Sequence, residues 1–246
     1  IAAVLTFDPH PSHLFNPANP TRLIMPLEAK TDLLLQHGVD LVIVHPFNRE
    51  FAGISAKDFP TLLTSYMPNL AALYVGENFR YGKGRQGDVT SLIETARPLG
   101  LSVFSVQRIR ENGEPISSTR IRGELAAGRI ERVNALLGHT YRSVGSIQGG
   151  RKLGRTLGFP TVNVPWTPEL LPRFGVYAVR ARKGQGGDSR GGWIPGVANF
   201  GVRPTVEEQP DSVPLLEIHF FEPVSWSSGV KIEALWDAFL RPEEKF

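Results

Sequence analysis

Apolar and polar positions follow two rhythms along this chain. Through residue 138, short apolar runs alternate with amphipathic stretches. "AAVLTF" predicts a buried strand. "PLEAKTDLLLQHG" predicts a helix opened by Pro26, with apolar Leu27, Leu33, Leu34 and Leu35 and a stop at Gly38. "VDLVIVHPF" predicts a second strand, and "SAKDFPTLLTSYM" a helix with Ser55 as N-cap and Asp58 three residues on. "LAALYVG", "DVTSLIETARPLG" and "LSVFSV" continue as strand, helix and strand, and "ISSTRIRGELAAG" and "IERVNALLG" predict two more helices, the second ending at Gly138. Strands alternating with helices predict a parallel, doubly wound α/β domain over residues 1–138. Such sheets bind ligands outside the carboxyl ends of their strands, where "FDPHP" and "GENFRYG" fall.

From residue 139 the rhythm changes. "YRSVGSIQ", "TVNVPW", "GVYAVRARK", "WIPGVANFG", "PLLEIHFFE" and "VKIEALW" are short strand patterns separated by Gly- and Pro-rich turns, with "GQGGDSRGG" as a hairpin tip. Many short strands with no helix between them predict an antiparallel barrel or sandwich over residues 139–246. The closing "LRPEEKF" reads as a charged helical piece.

Composition narrows the classes. At 41% apolar and 21% charged, the 246 residues suit a globular protein, and no apolar run nears the length of a membrane helix. With no cysteine, disulfides and thiolate metal sites are excluded, which fits a cytoplasmic protein. The net charge of +3 admits anionic ligands such as nucleotide phosphates without the concentrated basic stripe of a nucleic-acid binder. The first residues, "IAAVLTFD", read as a strand entered midway and not as a signal peptide.

One glycine triplet needs separate treatment. Gly82, Gly84 and Gly87 in "YGKGRQG" have G-x-G-x-x-G spacing. A dinucleotide fingerprint needs its first glycine directly after a strand, but five residues intervene after Gly76, and Glu111, at the distance of the ribose acid, lies in a polar turn. Two other readings are a plain surface turn and a ligand loop. In the latter, Phe79 and Tyr81 suit a planar ring, and Arg80, Lys83 and Arg85 suit phosphate. No Walker A sequence occurs, and His10 and His13 lie in a Pro-broken loop without an acidic partner, a poor zinc site. On the residues alone, Glu217 reads first as an ordinary solvent-facing strand acid, and Thr161 and Asn163 equally as a turn after Pro160.

Several stretches occur in an order that resembles one family. They are "TFDPHP", "GVD", "FAGISAKDF", "VGENFRYGKGRQGD", "ISSTRIR", "LLGHTY", "GRKLGRTLGFPTVNV", "GVYAV", "GVANFGVRPT", "LEIHFFE" and "FLRPEEKF". Together they resemble the bacterial bifunctional riboflavin kinase/FMN adenylyltransferase, or FAD synthetase, family over essentially the whole chain. The resemblance implies an α/β nucleotidyltransferase domain followed by an antiparallel riboflavin kinase β-barrel. It implies riboflavin, FMN and ATP as substrates, FAD as product, and Mg²⁺ in both reactions. By this resemblance Glu217 is the catalytic base of the kinase, and Thr161 and Asn163, in "PTVN" where the family has P-T-A-N, are the metal ligands. Gly149, Arg151, Lys152, Gly154 and Arg155 bind the ATP phosphates of that half. His10, Asn78, Ser118, Thr119 and Arg122 are nucleotide-side residues of the adenylyltransferase, and Phe15 and Tyr81 its flavin-side aromatics. Two departures stand out. The acidic-Leu-Tyr-Gly turn of the family is "WSSG" here, with Ser228 in place of the Tyr. The family's H-x-G-H signature lies upstream of "TFDPHP" and outside this sequence, so the stretch by itself is expected to be impaired in adenylyl transfer. A kinase-only relative, a non-catalytic flavin-binding protein and an NAD(P) oxidoreductase are the alternative readings.

Overall fold

The computed structural model describes residues 1–149, 161–184, 192–202 and 213–243. They fall into two compact units, Ile1–Arg22 with Pro26–Ile116, and Leu23–Met25 with Ser117–Phe246.

The first unit is built on parallel strands. β1 (Ala3–Phe7) is followed by a one-turn helix, α1 (Ser12–Phe15), and by α2 (Leu27–Gln36), which starts after Pro26 and ends before Gly38, φ 87°. β2 (Leu41–His45) then pairs in parallel with β1, Ala3 opposite Leu41. α3 (Arg49–Ala52) is capped by Asn48, whose side chain accepts from the Phe51 amide. α4 (Phe59–Tyr66) follows Asp58, with Pro60 in its first turn. The predicted cap Ser55 closes the turn just before it, accepting from the Asp58 amide at 3.1 Å, so the helix starts later than the sequence suggests. β3 (Ala72–Gly76) leads through the glycine loop to α5 (Val89–Ala96), which opens on a reciprocal Asp88–Ser91 capping box. β4 (Ser102–Val106) pairs in parallel with β3, and the short β5 (Arg110–Glu111) and β6 (Glu114–Pro115) form a two-residue ribbon.

The expected parallel strands are therefore present. They form two ladders, β1–β2 and β3–β4, with no ladder between them among the described residues. One apolar cluster serves both: Phe59, Leu63, Tyr81 and Leu92 are buried, with Leu5 of β1, Leu73 and Val75 of β3 and Val103 of β4 packed against them.

The second unit begins with two helices. Ser117 caps α6 (Ser118–Ala126), and α7 (Ile130–Leu137) ends at Gly138, whose φ of 72° favours glycine. Six antiparallel strands follow: β7 (Tyr141–Ser146), β8 (Thr161–Pro165), β9 (Gly175–Lys183), β10 (Ile194–Val202), β11 (Pro214–Phe220) and β12 (Lys231–Pro242). Their order is β7-β12-β9-β10-β11-β8. The two edges meet where the Gln148 amide donates to the Asn163 carbonyl at 2.8 Å, which brings the curled sheet together as a barrel. β12 runs on through Arg241 and Pro242, with register shifts after Trp236 and Phe239. The expectation of a helix at "LRPEEKF" is thereby corrected for these two residues: pairing with β9 holds them in the sheet.

Alternation puts large aromatics inside the barrel. Trp236 is 0% exposed and meets Tyr177, Trp166, Phe200 and Tyr141 at ring-centroid distances of 4.6, 5.2, 5.5 and 6.0 Å. Its indole N–H donates to Ser143 Oγ at 2.9 Å, so the buried donor is satisfied. Burial pushes the Tyr141 phenol pKa up, so the ring stays neutral. Asn134 of α7 ties the helix on, donating to the Trp236 carbonyl and accepting from the Tyr141 amide.

Candidate active site

The "YGKGRQG" loop of the first unit shows what its glycines do. Tyr81 and Gly87 exchange both backbone hydrogen bonds, at 3.2 and 2.9 Å, closing the loop on itself. A Cβ at Gly87 would lie 2.5 Å from the Tyr81 ring, and one at Gly82 would lie 2.6 Å from the Ala56 amide. Gly82 and Gly87 therefore answer close packing and Gly84 a left-handed turn, φ 63°, and the dinucleotide reading has no support here. Tyr81 itself is only 6% exposed, its ring between Phe59 at 5.2 Å and Phe79 at 5.5 Å. Tyr81, expected on the flavin side, is thus packed among core aromatics, and its hydroxyl is buried without a hydrogen bond. Phe15 is the opposite case, 66% exposed at the end of α1, with Phe47 at 5.8 Å.

His10 and Asn78 both follow carboxyl ends of parallel strands, the place a ligand would occupy in such a sheet. The His10 Nδ1 lies 2.8 Å from Ser12 Oγ, and Asn78 Oδ1 accepts from Arg108 Nε at 3.3 Å. Ser118, Thr119 and Arg122 belong to the first turns of α6, in the second unit. Ser118 and Thr119 are exposed, while partial burial lowers the pKa of the Arg122 guanidinium.

On the barrel, Glu217 stands on the face opposite the core, because Leu216 and Ile218 on either side point inward. Sheet register sets it directly between Asn163 of β8 and Asn199 of β10. Directly opposed residues share a face, so amide, carboxylate and amide form one row across three strands. Asn163 is 9% exposed, and its Oδ1 accepts no hydrogen bond; nor does the buried Oδ1 of Asn199. Thr161, two residues from Asn163 on the same face, has its Oγ1 3.2 Å from His219 Nδ1. Glu243 reaches this face too, its carboxylate 3.5 Å from Asn199 Nδ2.

The structure thus brings Thr161, Asn163 and Glu217 together. It adds Asn199 to them, a residue that "GVANFG" contains but whose place only strand register reveals. A Cβ on Gly149 would lie 3.9 Å from Ser228 Oγ, so the altered "WSSG" turn stands beside Gly149. Arg151, Lys152, Gly154 and Arg155 lie outside the described residues, as does most of the predicted hairpin tip at 184–192. A 520 Å³ groove lined by Arg129, Arg132 and Phe239 lies on α7 and β12, away from the Glu217 row. Among the described residues no group of three or more His, Cys, Asp or Glu is placed to hold a metal ion, and no helix is long and apolar enough to cross a membrane.

Two family models match this chain, FAD synthetase over residues 1–120 and riboflavin kinase over residues 137–246. The bifunctional riboflavin kinase/FMN adenylyltransferase of Escherichia coli K12 is 35% identical over 243 residues, covering 99% of this chain and 75% of the relative. The chain belongs to the bifunctional riboflavin kinase/FMN adenylyltransferase family. The Bacillus subtilis enzyme of the same name is also 35% identical, over 248 residues, with 99% and 75% coverage. A crystal structure titled a macrolide-efflux protein, from Streptococcus pneumoniae, superposes with a TM-score of 0.86 at 23% identity, covering 99% of this chain and 77% of that one. At that identity the likeness concerns the fold. The two models follow one another along the chain, FAD synthetase first.

Proposed function

We propose that this protein makes FAD in two steps: phosphorylation of riboflavin by ATP to FMN, then transfer of AMP from ATP to FMN with release of pyrophosphate. Family membership over both halves supports the pair of activities. The single structural observation that carries the kinase step is the row Asn163–Glu217–Asn199, a carboxylate flanked by two buried, unpartnered amide oxygens.

In that step Glu217 takes the proton of the ribityl terminal hydroxyl as its oxygen bonds to the γ-phosphorus and the bond to ADP breaks. Thr161 and Asn163 would hold Mg²⁺ together with ATP phosphates. The fit is chemical: a hydroxyl and an amide are hard oxygen donors, and the Asn163 Oδ1 is buried with no other partner. Bound there, the ion would neutralise phosphate charge. Gly149, Arg151, Lys152, Gly154 and Arg155 are assigned to the phosphates of that ATP, with Arg and Lys as charge and the glycines as close backbone approach.

In the adenylyltransferase half, His10, Asn78, Ser118, Thr119 and Arg122 are assigned to the nucleotide and Phe15 to the flavin ring. Tyr81 serves the flavin side from within, by holding the loop that carries Asn78 and Phe79. We assign the two activities to residues 1–138 and 139–246 and place the protein in the cytoplasm, acting on small molecules and on neither nucleic acid nor membrane.

Incubation of the full-length protein with riboflavin, ATP and Mg²⁺, followed by chromatographic separation of the flavins, tests the proposal. FMN and FAD together are expected. FMN alone restricts the function to the kinase, and neither product overturns the proposal.

A further inference from the structure

The Glu217 row contains one group that the proposed kinase step leaves unused. The Oδ1 of Asn199 is buried and accepts no hydrogen bond, an arrangement that is costly unless a ligand supplies the donor. Asn163 on the other side of Glu217 is in the same condition, but the two amides do not share a task. The Glu217 carboxylate stands between them, one strand spacing from each. Asn163 has Thr161 beside it on the same strand and face, a second hard oxygen suited to a cation. The corresponding neighbours of Asn199 on β10 are Val197 and Gly201, which offer a cation nothing.

The Asn199 amide is also held one way round. Its Nδ2 faces Glu243 Oε1 at 3.5 Å. A carboxylate only accepts, so it selects the nitrogen and leaves the oxygen on the other side of the amide. Gly201 makes this possible, because a Cβ there would collide with the Glu243 carboxylate. A neutral acceptor, fixed in orientation, desolvated and one strand from a general base, is matched by a hydroxyl donor adjacent to the hydroxyl being deprotonated.

We infer that Asn199 is a specificity-determining residue of the kinase half: its Oδ1 accepts a hydrogen bond from the ribityl hydroxyl next to the one phosphorylated, and Glu243 is the positioning residue that fixes the amide. The inference rests on the proposed riboflavin kinase activity. A flavin lacking that hydroxyl would leave the Asn199 oxygen buried and unpartnered in the complex.

The test compares riboflavin with its 4′-deoxy analogue as phosphoryl acceptors for the full chain, with ATP varied separately. The wild-type protein is expected to favour riboflavin by about tenfold or more in kcat/KM, the scale on which a site built for a hydroxyl rejects its absence. Asn199→Ala is expected to lose most of that preference, treating the two flavins within about twofold, with KM for ATP little changed. Glu243→Ala should erode the preference in part. Asn199→Leu, which keeps the side-chain volume, makes the same comparison should the alanine variant not fold. Undiminished discrimination in the Asn199 variants overturns the inference, as does an equal rise in both Michaelis constants. A wild-type protein that phosphorylates neither flavin overturns the proposed kinase activity, and the inference with it.

Discussion

The two units treat their strands differently. In the barrel, β9 alternates between buried and half-buried positions from Gly175 to Arg182, and Tyr177, Val179 and Ala181 are at most 2% exposed. In the α/β unit no residue of β1, β2, β3 or β4 is fully buried, and Tyr74 and Phe104 stack at 4.8 Å while remaining 71% and 47% exposed. Its buried side chains come from helices and loop instead: Phe59, Leu63, Leu92 and Tyr81. The candidate chemistry follows the same division. The barrel uses one strand for two purposes, with Leu216 and Ile218 inside and Glu217 outside, because side chains alternate with a period of two. The α/β unit places His10 and Asn78 beyond its strand ends, where sheets of this kind meet their ligands. A strand-borne site is therefore tuned by register, and a loop-borne site by turn geometry.

Substitutions can break this contrast. The largest effect is expected for Glu217→Gln on the outside of the barrel: loss of FMN formation by about 10²–10⁴-fold, the usual contribution of a general base, with conversion of FMN to FAD retained. Loss of both activities in a flavin assay would show that the outer face also supports the other unit. On the inside of the same barrel, Trp236→Ala should cost about 3–5 kcal/mol, the typical toll of truncating a buried tryptophan, measured by urea denaturation. Its counterpart in the α/β unit, Tyr74→Ala, should cost about 1 kcal/mol or less, as the stacked pair is solvent-exposed. Equal costs at the two positions would remove the distinction. Gly87→Ala tests the loop, since the added methyl enters the Tyr81 ring; overpacking of this kind costs about 1–3 kcal/mol, and FMN adenylylation should fall while riboflavin phosphorylation holds.

The smallest effect concerns Asp88. The Ser91 amide, then the Ser91 hydroxyl, hold its carboxyl below the ordinary aspartate pKa. A carboxyl lowered in the folded state contributes stability above its unfolded pKa and loses it as pH falls through the folded one. Asp88→Asn keeps a capping oxygen but cannot titrate, so its stability should fall less steeply on acidification. A denaturation series from neutral to acid pH would detect the difference, and parallel curves would refute it.

Much of this was legible beforehand. Gly38 and Gly138 as helix stops and the six barrel strands all declare themselves through local chemistry. So does Glu217, which is polar between two core residues. Less legible was anything that depends on a neighbour from elsewhere in the chain. Ser55 has the right spacing for a cap yet serves the preceding turn. Tyr81 in a Gly-rich, basic stretch suggests an open ligand loop, but Phe59 and Phe79 bury it. β12 continues past Trp236 because β9 remains available to pair with it.

The order of residues alone determined the two rhythms, the family and the polar character of Thr161, Asn163 and Glu217, because periodicity, caps and short motifs are written within a few neighbouring positions. Tertiary structure decided that Asn199 stands beside Glu217, that Glu243 faces its amide, and that Gly87 of "YGKGRQG" makes room for a tyrosine. Each of these is a contact between segments distant in sequence or a matter of space, and register between strands sets it, not composition within one.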